Sequence, residues 1–457
     1  MHLPEKQRNQ AFRIVSELLA HDGLLVITLR QDPSETTNAE RGFHDVQPEE
    51  LLQMAKQRAL HLVTLGRLGD ALGRSNVSWD TLCFRLPDDG TGSLPLLRHI
   101  IVNDDKSASY KLGLLRTLLR IAEGAPGMVL RRTEDYVEIP FGLVGLYWLK
   151  LYMPLILKHN LVQHGIKDRG YGFAKDDFYA LKKESSFDLR IGARLDGKLA
   201  APVTGAIRDA CANIKQMPVH YITYPGQNRQ VFECERQTVR KSSTPVQLDK
   251  QFLARFGVFR VPTQLWQTLG QYTCWLEPAI VNEWVNLMAS WGVRYDSDVY
   301  YKALEWEEGK RDTSAVRQRV EQLRKRSTPL HCIWTNISLV KREYEIDHCF
   351  PWSRWFNNDL WNLLPTTVKA NGDKGDKLPA AWLVETAKPR ILDWWETGYL
   401  EAGLDAQFYM EAEAALPLVD ESSRDLSRVF EALLLQRQKL RANQQLAEWM
   451  PQQLKSA

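Results

Sequence analysis

Residues 344–379 read YEIDHCFPWSRWFNNDLWNLLPTTVKANGDKGDKLP, and this stretch decides how the rest of the chain is interpreted. Residues 344–348 alternate like a strand with one buried face. Residues 360–365, LWNLLP, predict a second strand. The residues that follow begin as a helix, which Gly372 and Gly375 keep short. The sequence therefore predicts a strand–loop–strand–helix unit that can hold one metal ion.

The polar residues of this unit have a distinctive spacing. Asn362 lies fourteen positions after His348, and Asn371 lies twenty-three positions after it. With Asp347 before the histidine and KGDKLP at 374–379, this pattern resembles the ββα-metal fold of HNH endonucleases. Among HNH variants it is most similar to the HNH domain of the RNA-guided CRISPR effector nucleases, including an Asn in place of the last His. The resemblance covers only a small part of the chain.

The resemblance implies a role for each of these residues. Phosphodiester hydrolysis needs a base for the attacking water and a hard cation to stabilise charge on the phosphate and the leaving oxygen. His348 would be the base, and Asp347 with the amide oxygen of Asn371 would hold Mg²⁺ or Mn²⁺. Asn362 would fix the loop and the base without touching the metal. One such site cuts one strand per encounter, so a monomer is expected to nick DNA.

Two groups of basic residues are candidates for contacts with DNA phosphates. Lys374 and Lys377 lie in the motif itself, near a helix end where exposed lysines are also common. Residues 313–326 (TSAVRQRVEQLRKR) predict an amphipathic helix. Its inward side comprises Val316, Val320 and Leu323, and its outward basic residues are Arg317, Arg319, Arg324, Lys325 and Arg326. We assign Arg324, Lys325 and Arg326 to DNA, although a merely solvated face explains the charges equally well.

The cysteines argue against a structural zinc site. They are Cys83, Cys211, Cys234, Cys274, Cys332 and Cys349, and none forms a C-x-x-C pair. In many HNH proteins two such pairs bind zinc and stabilise the hairpin. Because this chain lacks them, its hairpin is expected to be stabilised by packing. Cys349 is expected to be a small buried side chain and not a nucleophile. The absence of a disulfide framework indicates a reducing cytoplasm.

Aromatic residues are abundant, with fifteen tryptophans and fifteen tyrosines. Packing in cores is the simpler explanation, and base stacking on exposed rings is the alternative. In the HNH-like stretch, the residues expected to pack in the core are Trp352, Trp355, Phe356 and Trp361.

Composition and pattern predict a multidomain globular protein. The chain has 457 residues, 44% hydrophobic and 25% charged, with a net charge of only +3, so any nucleic-acid surface must be local. We expect an α+β, predominantly helical fold with the ββα-metal module embedded among helices. The predicted domains are a mainly helical region (1–185), a mixed α/β region (186–312), the HNH domain with its preceding basic helix (313–380), and C-terminal helices (381–457).

One glycine-rich segment resembles a phosphate-binding loop but is interpreted differently. Gly66, Gly69 and Gly73 fall in residues 49–74, whose apolar spacing predicts a helix, and no strand is predicted to lead into them. A phosphate loop is therefore rejected.

Two other segments have competing explanations. Residues 141–157, FGLVGLYWLKLYMPLIL, are too short for a membrane span and contain Lys150 and Pro154, so a buried helix is expected. The basic stretch 236–245, RQTVRKSSTP, fits a linker better than a phosphate-binding loop. The N-terminus has no predicted signal peptide, and neither a membrane nor an RNA guide is indicated.

The predicted function is cleavage of double-stranded DNA by a metal-dependent HNH endonuclease. A helical N-terminal region followed by an HNH module resembles bacterial anti-phage defence effectors, such as a Zorya-type effector. That resemblance implies phage DNA and defence-system proteins as partners. Two alternatives stay open: a sensor whose HNH module is restrained until a partner or ligand binds, and a nuclease that acts on RNA.

Overall fold

The computed structural model describes residues 3–20, 23–31, 46–58, 60–86, 91–166, 170–241, 243–291, 295–307, 309–417 and 424–451. Helix predominates over strand among them, and the strands form small sheets, so the predicted α+β, mostly helical fold is confirmed. The chain divides into two compact units, Met1–Asn103 and Asp104–Ala457. The domain boundaries predicted at 185, 312 and 380 all lie inside the second unit.

The first unit is built on a small antiparallel sheet. Its elements are helices α1 (Glu5–Glu17), α2 (Pro48–Gln57) and α3 (Ser93–Arg98), and strands β1 (Leu25–Gln31), β2 (His61–Gly69) and β3 (Ser78–Arg85). The strand order is β1-β3-β2. The apolar core includes Phe12 from α1, Leu51 from α2, and Leu82 and Phe84 from β3.

The helix predicted over residues 49–74 is wrong beyond Gln57. Leu62, Leu65 and Leu68 recur every three residues, as they do on a helix, but this segment is the edge strand β2 and pairs with β3. Gly66 lies on that strand, and glycine disfavours a helix. Pairing between strands therefore outweighs the local spacing.

The first half of the second unit is mainly helical. Its helices are α4 (Tyr110–Gly124), α5 (Phe141–Met153), α6 (Asp176–Tyr179), α7 (Gly197–Gln216), α8 (Pro218–Tyr221), α9 (Lys250–Ala254), α10 (Thr263–Gln271), α11 (Thr273–Ala289) and α12 (Ser297–Leu304). Its strands are β4 (Arg131–Arg132), β5 (Tyr136–Pro140), β6 (Arg194–Leu195), β7 (Glu233–Arg236), β8 (Val246–Gln247) and β9 (Gly257–Pro262). The larger sheet has the order β4-β5-β9-β7, and β6 pairs with β8.

Helix α5 is the apolar segment noted in the sequence. With the turn that follows it, Phe141–Lys158 is the one helix in the described part of the chain that is long and apolar enough to cross a membrane. The protein buries 89% of that stretch, which is the property of a core helix. The prediction of a buried helix is therefore confirmed.

The HNH-like stretch lies in the second half of this unit. The elements there are α13 (Ser314–Lys325), β10 (Tyr344–His348), β11 (Leu363–Thr367), α14 (Val368–Lys374), β12 (Leu378–Pro379), α15 (Ala381–Trp395), α16 (Asp405–Ala415), α17 (Leu426–Gln444) and β13 (Glu448–Trp449). The second strand begins three residues later than predicted, because Leu360–Asn362 form one 3₁₀ turn.

A single hydrophobic core joins these elements. It runs from Val316 on α13 through the hairpin to Trp449 on β13. Trp361, between the strands, and Trp395, on α15, are both fully buried in it. The C-terminal helices therefore support the hairpin directly through this core.

Gly372 and Gly375 differ in their effect on α14. Gly372 lies inside the helix, whereas Gly375 ends it with φ 55° and ψ −123°. We expect Gly375→Ala to destabilise the protein by about 1–3 kcal/mol, because L-residues rarely adopt that conformation.

The matched control is Gly372→Ala, since an added Cβ there meets no atom within 4 Å. It should stabilise the protein by roughly 0.5–1 kcal/mol, because alanine favours a helix. Urea unfolding followed by tryptophan fluorescence measures both, and equal effects from the two substitutions would contradict this account.

Candidate active site

The site is built on an antiparallel hairpin and the helix that follows it. In the register of β10 and β11, Asp347 lies opposite Leu364, and His348 lies opposite Leu363. Helix α14 starts directly after β11, where the Thr367 hydroxyl accepts a hydrogen bond from the Ala370 amide. This arrangement places α14 against β10 and is the strand–loop–strand–helix unit that the sequence predicts.

Asp347 is only 3% exposed to solvent, and its carboxylate accepts hydrogen bonds from one polar and one charged side chain. Oδ2 accepts a hydrogen bond from Trp334 Nε1 at 2.8 Å, and Oδ1 accepts one from Lys374 Nζ at 2.9 Å. Lys374 also donates to the His348 carbonyl at 2.7 Å. The carboxylate is therefore fixed in orientation by β10, α14 and the segment before the hairpin.

His348 is held at one ring nitrogen and open at the other. Its Nε2 lies 3.1 Å from Asn358 Oδ1, and the Trp352 ring meets the imidazole edge to face at 5.5 Å. Nδ1 is buried and has no hydrogen-bond partner among the described residues. Buried polar atoms usually have a partner, so an orphaned imidazole nitrogen marks a place for a ligand or a water.

The protein keeps this imidazole neutral. Burial disfavours the charged form of the imidazole, and this is the main reason that the pKa of His348 is lowered to about 4. The hydrogen bond that Asn358 Oδ1 accepts from the ring and the charge of Asp347 oppose that shift, whereas Arg311 and Lys374 add to it. At neutral pH the ring is therefore unprotonated at one nitrogen and can accept a proton.

Asn362 closes the loop that carries Asn358. Its Oδ1 accepts a hydrogen bond from the Phe350 amide at 2.8 Å, and its Nδ2 donates to the Asn357 carbonyl at 3.1 Å. Its own carbonyl accepts from the Cys349 amide at 2.7 Å. Asn362 thus ties both ends of the loop together, and among the described residues no hydrogen bond joins its side chain to Asp347.

Asn371 is half-buried on α14, three residues before Lys374. Residues three apart share a helix face, so Asn371 lies on the side of α14 that packs toward β10. Within the described ranges its side chain makes no hydrogen bond, which leaves its amide oxygen open to a ligand.

The basic candidates fall in different environments. Lys374 is fully buried against Asp347, and so it is not the exposed lysine that the sequence suggested. Lys377 is half-buried, whereas Lys325 and Arg326 are exposed at the end of α13. Arg324 donates to the backbone carbonyls of residues 340 and 342.

Arg319 corrects the predicted outward face of α13. It is buried and donates to the carbonyls of Gly398 and Thr397. The apolar residues predicted to face inward, Val316, Val320 and Leu323, are buried as expected. A long basic side chain on the apolar side can reach backbone carbonyls, which helical spacing alone does not reveal.

The aromatic residues of the loop divide into two kinds. Trp355 and Trp361 are buried, as predicted. Trp352 is half-buried. Phe356 is 51% exposed, so the prediction that it packs in the core is wrong. Cys349 is buried, and burial raises the pKa of its thiol to about 12, so it remains protonated.

Sequence reasoning missed two residues that contact the site. Trp334 bonds to Asp347 from outside the hairpin, and no spacing rule connects them. Asn358 bonds to the imidazole from a loop whose asparagines look like ordinary turn residues. In the sequence, only the position of Asn358, ten residues after His348, connects it with the site.

Comparison with known protein families gives two matches. Residues 335–380 match a family described as HNH endonuclease, and residues 90–304 match one described as a domain of unknown function, DUF8808. No curated protein and no solved structure matches the chain. The first match supports an HNH domain at the site described above, and with it nuclease activity on a nucleic acid substrate.

Replacing Asn362 with leucine tests its structural role. The substitution leaves the Phe350 amide and the Asn357 carbonyl without their partner, at a cost of about 1–3 kcal/mol for each buried group. We expect a lower midpoint of thermal unfolding. Asn371→Leu is the control, because that side chain makes no hydrogen bond to a described residue, and a similar loss in both variants would contradict the assignment.

Proposed function

We propose that this protein is a metal-dependent HNH endonuclease that nicks one strand of double-stranded DNA. The observation that carries the proposal is the geometry of His348, whose buried Nδ1 has no partner among the described residues and which adjoins the buried carboxylate of Asp347. Both lie within the segment that matches the HNH endonuclease family. A neutral histidine is the usual general base at physiological pH.

The residues present fit one hard divalent cation. A carboxylate has about four lone-pair positions, and the two protein donors to Asp347 leave capacity for a metal. Asn371 adds an amide oxygen. Because Mg²⁺ typically takes only one or two protein oxygens, this pair is sufficient, and we assign Mg²⁺ or Mn²⁺ to it. When bound, the ion would stabilise negative charge on the phosphate and on the leaving 3′ oxygen.

No alternative metal cluster competes with this assignment in the described ranges. They contain no group of three or more His, Cys, Asp or Glu side chains that could hold a metal. Cys332 is near the hairpin, but its sulfur accepts a hydrogen bond from the Thr367 amide.

The chain's own residues prepare the proton transfer. His348 Nδ1 accepts a proton from water as the water oxygen attacks phosphorus and the bond to the 3′ oxygen breaks. The leaving 3′ oxygen takes a proton from solvent, so the products carry 5′-phosphate and 3′-hydroxyl ends. Asn362 keeps the loop in place during this step. Lys374 donates hydrogen bonds to the Asp347 carboxylate and to the backbone carbonyl of His348, and so fixes the position of one relative to the other.

Contacts with the DNA backbone are assigned to Lys325 and Arg326, which are exposed, and to Lys377, which is half-buried. Lys325 and Arg326 extend from the end of α13, and Lys377 follows α14. Their charges would neutralise phosphates without reading sequence. Lys374 is excluded from that role by its burial, and Arg324 is engaged with backbone carbonyls.

A restrained nuclease is the second candidate, and one observation favours it. His348 is 2% exposed and Asp347 is 3% exposed, so a phosphate must gain access before it can be cut. A partner or ligand that moves Trp352 away from the imidazole would provide that access. The cellular setting, anti-phage defence by a Zorya-type effector, is proposed only from the resemblance in domain organisation.

Nicking of supercoiled plasmid tests the function. With Mg²⁺ or Mn²⁺ the wild type should convert it to the open circular form, and EDTA should stop the reaction. His348→Ala should lower the rate about 10²–10⁴-fold, the usual contribution of a general base.

His331→Ala is the control, because that histidine is exposed and lies outside the hairpin. Nicking that survives His348→Ala overturns the mechanism. A wild type that is active only with a protein partner selects the restrained nuclease, and cleavage of RNA but not DNA selects the RNA alternative.

Lys374→Met tests whether the ammonium and the metal share Asp347. Two unit charges 4 Å apart interact by about 1–4 kcal/mol at the effective dielectric of water or a protein surface. Removing the ammonium should therefore tighten Mn²⁺ binding by roughly tenfold or more. Lys377→Met is the control, and calorimetry on the full chain gives the affinity. Unchanged or weaker binding in Lys374→Met would exclude Asp347 as a ligand that the two cations share.

A further inference from the structure

The base has a side-chain partner that is not one of the four predicted site residues Asp347, His348, Asn362 and Asn371. His348 Nε2 lies 3.1 Å from Asn358 Oδ1. The histidine itself is only 2% exposed to solvent. Histidine has two neutral tautomers, and the partner of one nitrogen decides which nitrogen keeps its lone pair. The orientation of the Asn358 amide therefore determines which atom can accept a proton.

Two backbone groups fix that orientation. Asn358 Nδ2 donates to the Lys310 carbonyl at 2.9 Å, and Asn358 Oδ1 accepts from the Asp312 amide at 3.1 Å. A flipped amide would place N–H against N–H and oxygen against oxygen. Oδ1 must therefore face the imidazole, so Nε2 must carry the hydrogen and Nδ1 must carry the lone pair.

The anchoring segment lies outside the hairpin. Residues 310–312 precede α13, and the Asp312 carboxylate accepts a hydrogen bond from the Ser314 amide at the start of that helix. They also lie between the two family matches, which end at 304 and begin at 335. The side-chain amide of Asn358 thus links this connecting segment to His348.

We propose that Asn358 is a positioning residue for the reaction, which rests on the function proposed above. Held by the backbone of residues 310–312, it selects the Nε2–H tautomer of His348 and leaves Nδ1 to take the proton of water. The step breaks one O–H bond of water and forms Nδ1–H, while the Nε2–H bond to Asn358 is kept. The resulting positive charge on the ring is stabilised by the amide oxygen.

Two near-isosteric variants separate this role from simple loop packing. Asn358→Asp keeps an oxygen acceptor for Nε2, whereas Asn358→Leu removes it. The neighbouring Asn357→Leu is the matched control, because Asn357 bonds to Asp359 and not to the imidazole.

The readout is the ¹⁵N spectrum of histidine-labelled full-length protein at neutral pH, with His348 assigned from the signal missing in His348→Gln. We expect Nε2–H in the wild type, in Asn358→Asp and in Asn357→Leu, and a mixture of tautomers in Asn358→Leu. Plasmid nicking at saturating metal should fall roughly tenfold or more in kcat for Asn358→Leu, with KM little changed, and should largely recover in Asn358→Asp.

A wild-type spectrum with hydrogen on Nδ1, or an Asn358→Leu variant with an unchanged tautomer and rate, overturns the proposal. The spectrum does not require catalysis. A wild type that cuts no nucleic acid, alone or with a protein partner, therefore refutes the proposed function, while the tautomer of His348 still decides whether Asn358 positions it.

Discussion

The buried ion pair between Asp347 and Lys374 is the interaction on which the site depends. It joins the end of β10 to the end of α14, and both side chains are almost completely removed from water. Such a pair is favourable only when further hydrogen bonds satisfy both groups, and here Trp334 and the His348 carbonyl supply them. Removing one partner would leave a buried charge, at a cost of about 3–5 kcal/mol.

The same carboxylate links folding to chemistry. Asp347 orients α14, which carries Asn371, and it is also the proposed anionic ligand for the metal. Lys374 balances its charge in the protein alone, so at the proposed site a divalent cation would bind beside an ammonium group. Lys374 would then adjust the affinity of the site for the metal.

Local patterns were sufficient for the hairpin but not for its surroundings. The alternation at 344–348 and the turn at Gly375 depend on neighbouring residues, so the sequence predicts β10 and the end of α14 well. The burial of Lys374 and the contact from Asn358 arise from long-range packing, which spacing does not encode. Residues 61–69 show the reverse, because leucines with helical spacing form an edge strand once β3 is available to pair.

Anomalous diffraction from crystals of the full-length protein soaked in Mn²⁺ would show whether Asp347 and Asn371 hold the metal. We expect a peak about 2.1 Å from an oxygen of Asp347 and from the amide oxygen of Asn371, a typical metal–oxygen distance for such ions. Soaked crystals with a peak elsewhere, or with none at these two residues although the dissolved protein nicks DNA with Mn²⁺, would contradict this expectation.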